Sequence, residues 1–349
     1  MIKKAMMIPL VFLVCGALVS CNPPASVKAG SATGAAMLQL LPANVRGVFV
    51  VDVHRALGTD VAAKILKDEK AKEKYDQFIK MIGLDPMKDI YFLVVAVTGT
   101  PTGMERHTGA AIINLKCDKD LLITKLKSVA KDLQEETYDG ITIYKVPERG
   151  RSGDARVGAF LDDSNIALGN EQVVRALIDV SRKKSESVLK NPEMAKVFKS
   201  VNKSAMIWGA VAIPPALVQM AIEKNPMGKA LEGITALTLS FDYANRNLVT
   251  EIESLGGTKE QNEQRANMLN GLKAMGATAA SEQPVWKDLL NTLEITSGAD
   301  HIKIFASIPG ELLDKAQEMA KEKLAGMISA KPMAPKEEKP QEKKEETRK

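Results

Sequence analysis

Cysteine, histidine and aromatic residues are scarce in this chain, and each scarcity removes a class of function. The 349 residues hold three cysteines, at positions 15, 21 and 117, too few for a disulfide framework once the two near the N-terminus are accounted for. The three histidines, His54, His107 and His301, lie far apart. None has another His or Cys at ligand spacing, and a zinc site needs several preorganised N or S ligands, so they read as structural or solvated and no metal is expected. Two Trp, five Tyr and eight Phe leave an aliphatic, Met-rich core. The 16 methionines fill gaps in such a core; a Met-lined groove is the alternative. Basic residues number 48 against 43 acidic, interspersed and with no basic stripe carrying aromatics, which argues against a nucleic-acid partner. Beyond the first residues no apolar run reaches the roughly 20 positions of a membrane-spanning helix. Catalytic motifs are missing too. There is no Gly-x-Ser-x-Gly, and Ser200-Val-Asn-Lys203 spells Ser-x-x-Lys only by chance at the end of a polar linker. No catalytic residue and no cofactor are expected.

What the chain does carry is an export signal. Lys3 and Lys4 precede an apolar run from Ala5 to Ala17, followed by Leu18-Val19-Ser20-Cys21. Basic, apolar, then small at a cleavage point is the layout of a secretory signal, and the run is too short to span a bilayer. The last four residues resemble a bacterial lipobox, which implies cleavage before Cys21 and lipid attachment to it. Cys15 would leave with the signal. An uncleaved anchor helix or an ordinary signal-peptidase site is the plainer alternative. Asn22 is not the Asp that holds enteric lipoproteins in the inner membrane, so the resemblance favours the outer membrane with a periplasm-facing domain. Removing residues 1–20 leaves 329 residues and, without Lys3 and Lys4, lowers the net charge from +5 to +3.

Residues 21–35 read as a lipidated cysteine and flexible tether, being small and rich in Pro, Gly and Ser. Residues 331–349, mostly Lys and Glu with prolines at 332, 335 and 340, read as a disordered tail. Between them strand and helix patterns alternate. Arg46–Val53 is apolar enough for a strand buried on both faces. A broken helical region runs from His54 to Ile82, ended by Gly83 and Pro86. Ile90–Thr98 and Gly109–Cys117 are strands separated by turn chemistry, a hairpin. Leu122, Leu126, Val129, Ala130 and Leu133 form one helical stripe, expected to be buried. Strands follow at Thr137–Val146 with a turn at Asp139-Gly140, at Arg156–Leu161 and at Asn165–Leu168, then a helix from Glu171 to Arg182. The second half repeats the order. It has a strand at Ala205–Ile213, a helix after Pro214, a hairpin of Ile234–Tyr243 and Leu248–Leu255, and a helix opened by Thr258 and Gln261 as a capping box. A short helix at Pro284, two strands at Leu293–Ser297 and Ile302–Ile308, and a last helix to Ser329 complete it.

This order predicts an α+β protein of two similar halves, residues 36–190 and 191–330. Each would be an antiparallel sheet with helices packed on one face, a split-βαβ, ferredoxin-like unit. The first half is about 20 residues longer in its first helical region. The segment Leu40-Leu41-Pro42-Ala43-Asn44 running into a Val-Val-Asp strand resembles a group of uncharacterised bacterial envelope lipoproteins. That resemblance implies a location and no activity.

The remaining candidates for chemistry have simpler readings. Asp162-Asp163 is hairpin chemistry rather than an acid pair or a Ca²⁺ site. Asp52 reads as a helix cap. The loop Glu148-Arg-Gly-Arg-Ser-Gly-Asp154 has the makings of an anion site but reads as a solvated tip. Cys117 reads as a buried small hydrophobe, with a redox thiol or an intermolecular bridge as alternatives. The expected function is therefore a non-enzymatic envelope module for binding or scaffolding, with a membrane contact through its lipid and an envelope protein as partner. A periplasmic carrier of an apolar ligand such as lipid is one alternative, and an enzyme without a recognisable motif another. The terminal Arg348-Lys349 resembles the C-terminal pair of the major outer-membrane lipoprotein of enteric bacteria, whose last lysine is joined to peptidoglycan. That resemblance implies a peptidoglycan contact through the tail.

Overall fold

The computed structural model describes residues 33–99, 108–130, 132–146, 156–224 and 226–329. The elements in chain order are β1 (Val45–Asp52), α1 (Val53–Leu57), α2 (Asp60–Ile65), α3 (Glu69–Ile82), α4 (Pro86–Asp89), β2 (Ile90–Thr98), β3 (Thr108–Leu115) and α5 (Lys119–Val129). Next come β4 (Gln134–Tyr138), β5 (Ile141–Val146), β6 (Arg156–Phe160), β7 (Asn165–Asn170), α6 (Glu171–Ser181) and α7 (Pro192–Ser200). The second half follows with β8 (Ile207–Ala212), α8 (Pro215–Lys224), β9 (Ile234–Ala244), β10 (Asn247–Gly256), α9 (Lys259–Ala279), α10 (Pro284–Asn291), β11 (Leu293–Ser297), β12 (His301–Pro309) and α11 (Gly310–Ser329).

Local chemistry explains most boundaries. Asp52, Thr59, Asp68 and Asp118 each cap a helix with a side-chain oxygen. Gly83 ends α3 in the left-handed region at φ 81°. The hairpin turns at Asp139-Gly140 and Asn245-Arg246 take positive φ at both central residues, which matches the twist of the flanking strands. Thr258 and Gln261 form the expected capping box.

Among the described residues the strands build one mixed-class protein around a single antiparallel sheet of 12 strands, ordered β11-β12-β10-β9-β8-β1-β2-β3-β7-β6-β5-β4. Three expectations are corrected. First, a split-βαβ unit would place β3 between β1 and β2, yet β1 pairs directly with β2, Val50 opposite Val94. β1, β2 and β3 lie side by side in chain order, as do β8, β9 and β10, so each half opens as a three-strand meander and is continued by later strands. Second, the halves do not form separate sheets, because β1 and β8 pair through Gly47–Val51 and Ile207–Val211. Third, helices lie on both faces. The first face carries Val48, Val50, Val94, Ile112, Ile143 and Trp208, which pack under α6 and α7 in one continuous core. The second face buries a smaller cluster of Val51, Leu93 and Ile207 under Val53 and Ala56 of α1, with Leu313 of α11 against it.

The polar linker expected before residue 203 is α7. Asn191 caps it, Pro192 opens it, and Met194, Val197 and Phe198 are buried against the sheet, Phe198 edge-on to Trp208. The α5 stripe is shallower than its periodicity implies. Leu122 and Leu126 are half-buried and Val129 is 52% exposed. At the N-terminal end Gly34, placed in the tether by composition, is buried, and a Cβ there would meet Val50.

Candidate functional site

The residues singled out from sequence do not converge. His54 Nδ1 is 3.0 Å from the Met87 carbonyl oxygen, a contact that ties α1 to α4. Asp52 accepts from the Arg55 amide at 2.9 Å; burial pushes its carboxyl up, against the lowering effects of that bond and the Arg55 charge. Arg55 in turn donates to Asp242 at 2.7 Å, so this group is a structural tie between the halves. Asp162 accepts from the Ser164 amide and the Asn165 side chain, as hairpin chemistry requires. Ser200 ends α7, and the Lys203 ammonium donates to the Phe198 carbonyl, not to Ser200. Cys117 is a free, half-buried thiol pushed up first by burial and then by Asp118 and Asp89, which suppresses the reactive thiolate. Cys15, Cys21, His107, the loop 148–154 and the tail 331–349 lie outside the described residues.

One cluster of titratable groups does form, on the first face between β10 and β12. Glu253 is 7% exposed, with Lys303 Nζ at 3.8 Å and His301 Nε2 at 3.9 Å. Lys303 also reaches Glu251 at 3.2 Å, and His301 Nδ1 lies 3.1 Å from Asp300. Burial raises the Glu253 carboxyl, and the charges of Lys303 and His301 oppose that. The acids outnumber the fixed cation and no nucleophile is hydrogen-bonded to the histidine, so the geometry describes an ion-pair strap across two strands. A second network, Glu136 and Glu171 with Lys145 and Arg175, is balanced in charge and joins β4 and β5 to α6. Among the described residues no three His, Cys, Asp or Glu side chains gather as a metal site would need. A cleft of about 390 Å³ beside β5 and β6 is open and lined by Lys119, Thr142, Asp163 and Arg182 among others.

The second face of the sheet is different. Strand register places Leu168, Ala111, Val95, Phe49, Gly209, Leu239 and Ile252 in one row across β7, β3, β2, β1, β8, β9 and β10. The row continues through Ile304 to Ile295. A parallel row one pleat away holds Gly109, Val97, Gly47, Val211 and Leu237. No charged residue occurs in either row. Helices bound this surface on three sides: α1 and α11 cover the next row, Leu93, Val51 and Ile207, α5 reaches Phe160 and Glu135 beside the buried Tyr144, and α9 lies along β11 beside the buried Ile302. The result is exposed apolar surface: Val97 42%, Leu168 41%, Ile252 40%, Val211 39% and Leu237 37%. At the usual strand spacing and rise the open region is about 30 Å wide and about 14 Å along the strands, some ~400 Å². A contiguous apolar patch of that size on a soluble domain is commonly functional. Within it, Phe49 and Leu239 occupy the space over Gly209, and Val97 and Val211 the space over Gly47.

Sequence reading missed this surface. It read Arg46–Val53 as a strand buried on both faces, whereas Phe49 is only half-buried, as are its neighbour Val95 and, further along the row, Leu239. The presence of three glycines, at 47, 109 and 209, within otherwise apolar strands is the one signal that the face is unfilled.

Comparison with known proteins adds a family and no activity. A family model described as "Protein of unknown function (DUF3352)" matches residues 119–319. No curated protein matches the chain. Solved structures described as crystal forms I, III and IV of TP0453 are 9–10% identical, with TM-scores of 0.44–0.45. The alignments cover 79–84% of this chain and 95–96% of those chains. At those scores the likeness carries no argument. No helix among the described residues is long and apolar enough to cross a membrane.

Proposed function

We propose that this chain, which belongs to the DUF3352 family, is a lipid-anchored protein of the cell envelope that binds through the open apolar face of its sheet and performs no catalysis. The observation that supports this most is the pair of uncharged rows from Leu168 to Ile252, exposed where a monomer would be expected to bury them. The lipobox-like Leu18–Cys21 supports the anchor, an acylated Cys21 with its domain facing the periplasm, the outer membrane being favoured. A tail ending in Lys349 adds a candidate contact to peptidoglycan. Internal duplication supplies the scaffold in this reading: β1-β2-β3-β7-β6 and β8-β9-β10-β12-β11 repeat one strand order about the β1/β8 pair. In the first half the β4–β5 hairpin and α2–α3 are additions. Carriage of a single lipid is the second reading. The same face favours it, and the open, charged lining of the cleft beside β5 and β6 does not.

Binding of an apolar fluorescent dye tests the proposal. The full chain should take up the dye, and Val211→Asp should abolish most of the signal while leaving the thermal unfolding transition in place. Dye uptake equal in both proteins would place the apolar surface elsewhere. Cys21→Ser tests the anchor: the protein should move from the membrane to the soluble fraction or stay uncleaved, and a cleaved yet membrane-bound variant would show another anchor.

A further inference from the structure

We infer that the cleft beside β5 and β6 binds a small zwitterion of amino-acid type, a molecule with one ammonium and one carboxylate, as a free amino acid or as the two ends of a short peptide. This goes beyond the binding role of the apolar face and does not depend on it. The cleft, of about 390 Å³, lies at the end of the sheet where the Asp139-Gly140 turn of β4–β5 and the Asp162-Asp163 turn of β6–β7 stand side by side. From the second face α5 brings Lys119, its first residue, and from the first face α6 brings Arg182, its C-cap. Lys119 Nζ sits 5.0 Å from the centre of the Phe160 ring, a cation–π contact that positions the ammonium without neutralising it. The Arg182 guanidinium lies over the Asp139-Gly140 turn, with Nη2 3.9 Å from where a Cβ on Gly140 would stand. Asp162 and Asp163 line the cleft from the other turn.

Charge selects the ligand. Neighbouring Lys127, Lys145, Arg175 and Lys184 each rest against a carboxylate. Lys119, Arg182 and Asp163 have no hydrogen bond or ion pair among the described residues, although all three line one cleft. Asp162 is committed to the Ser164 amide and the Asn165 side chain. The lining therefore holds two cations and two carboxylates, sums to zero and keeps the two signs on separate elements. An anion alone would be drawn to Lys119 and Arg182 but opposed by the two aspartates, and a cation alone would meet the reverse. A zwitterion satisfies both walls, its carboxylate on the Arg182 fork and Lys119 and its ammonium on Asp163. Phe160 offers the intervening carbon atoms an apolar wall. The volume stands near the lower end of the roughly 300–1,000 Å³ of small-molecule sites, which suits an amino acid or a dipeptide. Water screens ion pairs in an open cleft, so binding is weak and reversible.

Equilibrium dialysis of the full chain against labelled alanine and labelled alanyl-alanine tests this, with acetate, ethylamine and phosphoethanolamine as competitors. At least one of the two labelled compounds should bind saturably, at one site per chain. Arg182→Gln and Asp163→Asn should each weaken that binding roughly tenfold or more. Both side chains are exposed, so the thermal unfolding transition should stay in place. Acetate or ethylamine alone should not displace the label at concentrations where the unlabelled zwitterion does. Displacement by acetate at those concentrations overturns the zwitterion and leaves a simple anion site. Displacement by phosphoethanolamine at lower concentrations than the unlabelled amino acid or dipeptide overturns the carboxylate class in favour of a phosphate-bearing headgroup. No saturable binding of either labelled compound, or binding undiminished in both variants, overturns the site. Dye uptake by the apolar face is read separately, so failure here leaves that reading standing.

Discussion

Glu253 is the side chain whose ionisation the fold changes in the least obvious way. Its strand position reads as ordinary polar alternation, and only the pairing of β10 with β9 and β12 puts it out of water beside Lys303, His301, Glu251 and Asp300. Burial raises its carboxyl above the ordinary 4.5 despite the neighbouring Lys303 and His301. The folded state therefore binds this proton more tightly than the unfolded chain. Its contribution to stability is fully present below the unfolded value and is lost as pH rises through the raised folded value. Glu253→Gln should flatten the dependence of stability on pH across that window, as read from urea midpoints taken on either side of it. A steeper dependence in the variant would mean that pairing with Lys303 outweighs desolvation. Other residues were readable as they stand: Asp52 as a cap and Asp162 as a turn residue both act within three residues of themselves.

At the scale of elements, local signals located strands and caps, and tertiary packing decided depth. The Thr258–Gln261 capping box is visible as two residues at the right spacing, and Thr258→Ala should cost about 1 kcal/mol, measured by thermal or urea unfolding. Helix α7 escaped because three apolar residues at 194, 197 and 198 among lysines and serines make a weak period, yet they sit on the main core. Phe198→Ala should cost about 3–5 kcal/mol, since it opens a cavity beside Trp208. Leu122→Ala on α5 should cost clearly less, because its side chain is only half-buried and its removal leaves little void. Equal urea midpoints for the two variants would contradict the difference in packing.

For the whole molecule, the shared core sets the unit of folding. The first-face cluster runs without a break from Ile143 through Val50 to Trp208, and β1 and β8 occupy the middle of the sheet. Separated at 190/191, each half would expose that central ladder, so residues 36–190 and 191–330 should each fail to unfold cooperatively alone; a sharp thermal transition in either fragment would show that the halves are autonomous. The sequence by itself determined the α+β class, most strand positions, and the caps at Asp52 and Thr258, because periodicity, turn residues and caps act over a few neighbouring positions. It could not determine that the halves join through β1 and β8, nor that β2 pairs with β1 and leaves no split-βαβ unit. Strand partners are chosen by long-range hydrogen bonding and register, to which an apolar strand such as Gly47–Val51 is indifferent when read alone. Nor could it reveal the open face. Alternation tells which residues share a side of a strand, while only the placement of α1 and α11 over one end of the second face decided that Val51 is buried and Val97, Val211 and Leu237 are left in water.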